Sequence, residues 1–119
     1  MMKWIAVLLL SFLSFSTFAA NHDLACGQAL PASDPHFCAS FKSVAVCHCT
    51  ESGIPAGKCQ NMNNIYQLMI NLYKTVENAC AHQHDTSVQI CIDDWKCYRN
   101  GGRDSQGRLC SSTGNACSA

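Results

Sequence analysis

NMNNIYQLMINLYKTVENAC, residues 61–80, carries apolar side chains at helical intervals. Met62, Ile65, Met69, Leu72 and Val76 recur at spacings of three and four. Tyr66, Leu68 and Tyr73 widen that stripe, and Asn63, Gln67, Asn71, Lys74 and Asn78 form the opposite polar one. An apolar face repeating every 3.6 residues predicts an amphipathic helix of about five turns running unbroken from Asn61 to Cys80.

Working outward, two further helices are expected. Upstream, Ser33-Asp34-Pro35 offers a side-chain cap followed by a proline that has no amide to lose. Phe37, Phe41, Val44 and Ala45 then share one face, and Gly53 and Pro55 stop the element. Cys47 and Cys49 point in different directions on any helix, so the helix is expected to fray or end near them. Downstream, Thr86-Ser87-Val88-Gln89 matches a capping box, with Thr86 capping forward and Gln89 reaching back. Val88, Cys91, Ile92 and Trp95 fall on one face, and Asn100-Gly101-Gly102 ends the helix. Residues 103–119 contain a single large aliphatic residue, Leu109, and read as loop.

The ten cysteines all lie beyond residue 25: Cys26, Cys38, Cys47, Cys49, Cys59, Cys80, Cys91, Cys97, Cys110 and Cys117. Ahead of them stands Met1-Met2-Lys3, an apolar run from Trp4 to Leu13, then small residues ending in Ala19 and Ala20. A basic start, a short apolar core and small residues at the end describe a secretory signal peptide, with cleavage expected after Ala19. The run is shorter than the roughly 20 residues a membrane span needs. The expected organisation is therefore a cleaved leader over 1–19 and one disulfide-rich, all-α domain over 20–119, with three to four short helices and a stapled C-terminal loop. An even cysteine count in a short exported chain implies a complete disulfide framework. Spacing leaves the pairing open. Staples between helices are expected, from Cys38 and Cys47 on the first, Cys80 on the second, and Cys91 and Cys97 on the third. The chain is exported, to a periplasm or to the outside.

Charge and motifs narrow the function. Without Lys3 the balance is seven basic to eight acidic residues, which gives no footprint for nucleic acid or for an anionic membrane surface. Cys47-His48-Cys49 with His82 and His84 holds zinc-type ligands, but zinc needs reduced thiolates, and a structural disulfide reading is preferred. Cys47-x-Cys49 also lacks the setting of a redox pair. His84-Asp85, with Cys97-Tyr98-Arg99-Asn100-Gly101-Gly102, contains pieces of a phospholipase A2-like site in reversed order, and is read as a loop and a helix stop. Cleavage after Ala19 would expose Ala20-Asn21-His22, whose amine, backbone nitrogens and imidazole suit square-planar copper or nickel. Asp93 and Asp94 are read as a solvated face. Trp95, Tyr98, Arg99 and Arg103 form a candidate interaction surface, with the two aromatics as anchors. No catalytic set and no cofactor is assigned. The expected partner is another protein.

One stretch carries a family signal. From Cys49 to Cys59, Cys-Thr-Glu-Ser-Gly-Ile-Pro-Ala-Gly-Lys-Cys places two cysteines nine residues apart around a Ser-Gly and a Pro. Cys47 lies just upstream, and the helix around Tyr66 leads to Cys80. This stretch, Cys47 to Cys80, resembles the TrbM-like family of exported accessory proteins of bacterial conjugation, and departs from it in the close spacing of the upstream cysteine. The resemblance implies a periplasmic, non-enzymatic component of a DNA-transfer or type IV secretion system. A secreted effector or toxin is the alternative, and a secreted phospholipase A2-like hydrolase a more distant one.

Overall fold

A computed structural model describes residues 26–118. The expected leader, its cleavage site and Ala20-Asn21-His22 lie outside the described residues. The described residues form a small all-α, disulfide-rich domain of four helices: α1 (Phe37–Glu51), α2 (Met62–Tyr73), α3 (Val76–His82) and α4 (Val88–Asn100). Short 3-10 turns lie at Ala56–Lys58 and Cys110–Ser112.

In α1 the buried side chains are Phe37, Phe41, Ala45 and Cys49, four residues apart each time. The helix starts later than the Ser33-Asp34-Pro35 motif suggests. Asp34 instead turns the chain ahead of it, its carboxylate accepting from the His36 amide at 2.7 Å. The helix does end near Cys47 and Cys49, without fraying at them: it continues to Glu51 and stops before Gly53, whose φ of +90° suits a residue without a Cβ. The two cysteines do point apart: Cys47 bonds Cys26 and Cys49 bonds Cys59.

The helix expected over 61–80 is two helices. Asn61 caps α2 by accepting from the amides of Asn63 and Asn64. The chain then turns at Lys74, at φ +78°, and Thr75 caps α3 by accepting from the Asn78 amide. Asn78 also donates its side-chain amide to the Tyr73 carbonyl at 3.1 Å. Side chains read as polar spacers of one helix therefore satisfy the backbone groups at a corner, a competition that Thr and Asn often win. The corner swings Cys80 against Cys91, which it bonds. It also leaves Leu72, expected in the stripe, 63% exposed.

α4 begins one residue later than the capping box implies. Ser87 is the cap, accepting from the Ile90 amide at 3.1 Å. Gln89 reaches forward to Asp93 at 3.1 Å rather than back. Gly101 ends the helix at φ +70° with its amide on the Cys97 carbonyl. A side chain there is impossible without movement, because an added Cβ would lie 2.6 Å from the Ala116 nitrogen.

The core is an aromatic cluster between α1 and α4. Phe41 stacks on Phe37 (ring centroids 5.5 Å apart), meets Trp95 edge-on at 5.0 Å and leans on Tyr98 at 5.6 Å. Such pairs contribute about 0.5–1.5 kcal/mol each beyond their area burial. Around them lie five disulfides: Cys26–Cys47, Cys38–Cys117, Cys49–Cys59, Cys80–Cys91 and Cys97–Cys110. Only Cys80–Cys91 joins two helices. The other four tie a helix to a non-helical segment or a short 3-10 turn, because four short helices need their connections held more than their axes.

No cysteine is left free. Five disulfides suggest an oxidising, exported environment. Among the described residues no helix is long and apolar enough to cross a membrane.

Candidate functional site

Trp95 and Tyr98 belong to the core, not to the surface on which they were expected as anchors. They are 6% and 3% exposed. Ile92, Trp95 and Tyr98 follow one another at intervals of three; the expected face of α4 holds at Ile92 and Trp95, whereas Val88 at its start is exposed and Tyr98 was not placed on it. The Tyr98 hydroxyl donates to the Ser118 carbonyl at 2.8 Å, and burial raises the pKa of the phenol. Arg99 and Arg103, the cationic half of the expected surface, are exposed but separate. Arg103 donates to the Gly107 carbonyl at 2.7 Å within the C-terminal turn. Arg99 lies over the Tyr66 ring, its guanidinium carbon 3.6 Å from the centroid.

That stacked pair helps line an open groove of about 420 Å³ between α2, the α2–α3 corner and α4. Its apolar floor comes from Tyr66 and Ile70 of α2, Val76 of α3 and the indole of Trp95. Tyr66 and Trp95 pack together with centroids 5.7 Å apart. Lys74, Lys96 and Arg99 stand round the rim with one acid, Glu77. Neither ion pair among the described residues, His48–Asp85 or Arg108–Asp104, uses a rim cation. The described chain has seven Lys/Arg and seven Asp/Glu, so three cations and one acid give this groove a local excess within a balanced molecule. Sequence reasoning found Trp95 and Arg99 but missed Tyr66, Ile70, Lys74 and Lys96. They come from three elements, and only the corner at Lys74 brings them together.

A second depression of about 390 Å³ lies where the C-terminal tail crosses α1, beside Lys42, Tyr98 and Cys117. It is floored mainly by the tail itself.

Asp93 and Asp94, read as a solvated pair, are buried at 8% and 7% exposure. Asp93 accepts from the Ser105 hydroxyl at 2.7 Å, the Ser105 amide at 3.2 Å and Gln89 at 3.1 Å. Asp104 accepts from the Gln106 and Arg108 amides and from the Arg108 guanidinium, each at 2.9 Å. Burial raises the Asp104 pKa, but these bonds and the Arg108 charge outweigh it and leave the group below its ordinary value. Asp94 has no such partner. Burial first, then the charge of Asp93, raise it to about 7, with Arg108 opposing and Asp104 adding to the rise. Asp93 thus fastens the 103–109 turn to α4 through Ser105, Asp104 braces the turn from within, and Asp94 is buried beside them with its pKa raised.

The remaining motifs occupy separate places. His84 is exposed, and Asp85 pairs with His48 of α1 at 3.1 Å. The Cys97–Gly102 motif is the end of α4 and its cap. Cys47 and Cys49 are both oxidised, and among the described residues no three His, Cys, Asp or Glu side chains converge as metal ligands. Comparison with protein-family models, with curated proteins and with solved structures finds no match.

Proposed function

We propose that this protein is a small exported, non-enzymatic binding and assembly factor, acting in the bacterial periplasm as an accessory component of a conjugation or type IV secretion machine. The observation that carries the binding reading is the groove at Tyr66, Ile70 and Trp95. It is an apolar groove lined by three cations and one acid, Glu77, and neither ion pair among the described residues uses those cations. Charged donors standing unpaired beside an apolar cleft are the arrangement by which a rigid module receives a partner. The disulfide framework supports residence in an oxidising compartment, and the Cys49–Cys59 segment supports the conjugation reading through its resemblance to TrbM-like proteins.

The test is fractionation and crosslinking in the cell that exports the protein. The protein is expected in the osmotic-shock fraction, crosslinked to an envelope subunit of the transfer channel, and deletion of its gene is expected to lower transfer frequency. Recovery from the culture medium, with unchanged transfer after deletion, would instead establish the secreted-effector reading.

A further inference from the structure

We propose that the groove between α2 and α4 takes an acidic peptide segment of the partner, an aliphatic or aromatic side chain seated against Ile70 and Val76 and flanking carboxylates held by Arg99, Lys96 and Lys74. This rests on the binding reading above and names the chemistry of the bound segment.

Three features carry it. The Arg99 guanidinium lies over the Tyr66 ring at 3.6 Å, and neither ion pair among the described residues uses it. A guanidinium resting on an aromatic face keeps its N–H groups for a carboxylate, which it can bind through two parallel hydrogen bonds. Second, Lys74 and Lys96 come from different elements, and neither takes part in an ion pair among the described residues. Three rim cations against Glu77 set the sign of the occupant as negative. Third, apolar side chains stand among these cations: Tyr66, Ile70 and Val76 line the groove together with the largely buried Trp95. Charge alone would suit anionic lipid as well; apolar groups set between two helices among cations favour single peptide side chains with flanking acids, and the vesicle titration below separates the two. A cavity of about 420 Å³ has room for a few side chains rather than a whole helix.

The experiment titrates the oxidised, exported protein, labelled with nitrogen-15, with a short peptide carrying Leu-Phe flanked by Glu and Asp. Parallel titrations use the same peptide with Gln and Asn in place of the acids, and vesicles of phosphatidylglycerol in phosphatidylcholine. The acidic peptide is expected to shift the amides of residues 66–76 and 95–100. Its affinity is expected to fall at least tenfold in Arg99→Gln, with a smaller fall in Lys96→Gln, and to weaken with added salt. Both side chains are exposed, and an unchanged amide spectrum elsewhere certifies that each variant is folded. Equal binding of the neutral peptide, shifts confined to other surfaces, or vesicle binding without peptide binding would each overturn the proposal. Failure here is distinguishable from failure of the assembly reading. If the envelope crosslink survives Arg99→Gln at full strength, the partner docks elsewhere and only the groove assignment falls. If the peptide binds the groove but no envelope subunit is captured, the groove assignment stands and the machinery is wrong.

Discussion

Replacing Asp94 by Asn tests the electrostatics of the α4 turn directly. The carboxyl is raised from 3.8 to about 7, and at about 1.4 kcal/mol per unit that corresponds to an upper bound of about 4 kcal/mol. Its sign follows from proton binding. Between about pH 4 and pH 7 the folded chain keeps a proton on Asp94 that the unfolded chain releases, so stability falls as pH rises through that window. At pH 8 the folded protein carries the full cost of a buried charge beside Asp93 and Asp104. Asn has nearly the same shape and no charge. Asp94→Asn is therefore expected to match the wild type near pH 4 and to gain stability progressively, by about 2–4 kcal/mol at pH 8. For a domain of this size that is a rise in Tm of about 10 °C or more. The assay is circular dichroism of thermal and guanidinium unfolding at pH 4.5, 6 and 8 with the disulfides intact. A gap between variant and wild type that stays constant with pH, or is absent at pH 8, would refute the reasoning. Asp104→Asn supplies the opposite sign. The lowered pKa of Asp104 means its contribution is present at neutral pH and lost as pH falls, so this variant destabilises at pH 7 and converges on the wild type in acid.

Three further outcomes are expected. Gly101→Ala places a Cβ within 2.6 Å of backbone at a φ of +70° and should cost about 3 kcal/mol or more, read from the same unfolding curves. Lys74→Gly relieves the positive φ at the α2–α3 corner and should add about 1 kcal/mol of stability while weakening acidic-peptide binding, the two effects being separable by melting and titration. Removing Cys38–Cys117, whose cysteines lie 79 residues apart, should cost about 4 kcal/mol, against about 3 kcal/mol for Cys49–Cys59 at a separation of 10, since closing the longer loop restricts the unfolded chain more. Paired Cys→Ala variants compared by guanidinium midpoint check the order.

Much of the fold was readable along the chain because it depends on local periodicity. The face of α1, the stripe of α2 up to Met69 and the glycine at the end of α4 all follow from spacing and backbone preference. What escaped depended on competition between groups. Thr75 and Asn78 read equally well as polar helix positions and as the cap and brace of a corner, and only the need to bring Cys80 to Cys91 separates the two. Asp93 and Asp94 look solvated until Ser105 and Arg108, some twelve or more residues further on, arrive to cover them. The site was less legible still. Arg99 was identifiable as a cation near aromatics, but its aromatic platform is Tyr66, thirty-three residues earlier, and the adjacent Tyr98 faces the other way. Trp95 was placed correctly by its helical face and misplaced by the expectation that aromatics near arginines serve as surface anchors.

The order of the bridges also fixes how the molecule carries force. Tension applied at Cys26 and Cys117 passes through the Cys26–Cys47 bond, back along α1 from Cys47 to Cys38, and out through Cys38–Cys117. Only those ten residues of α1 can be drawn out, from about 14 Å as helix to about 30 Å at full extension. α2, α3 and α4, and with them the groove, hang on a loop beside the load path and feel none of the pull. The same two bridges overlap along the chain, so a single backbone cut anywhere between Cys26 and Cys117 leaves one covalent body. Once oxidised, the protein can be neither unravelled from its ends nor severed by one cleavage, and its passage through any narrow channel must come before its bridges close.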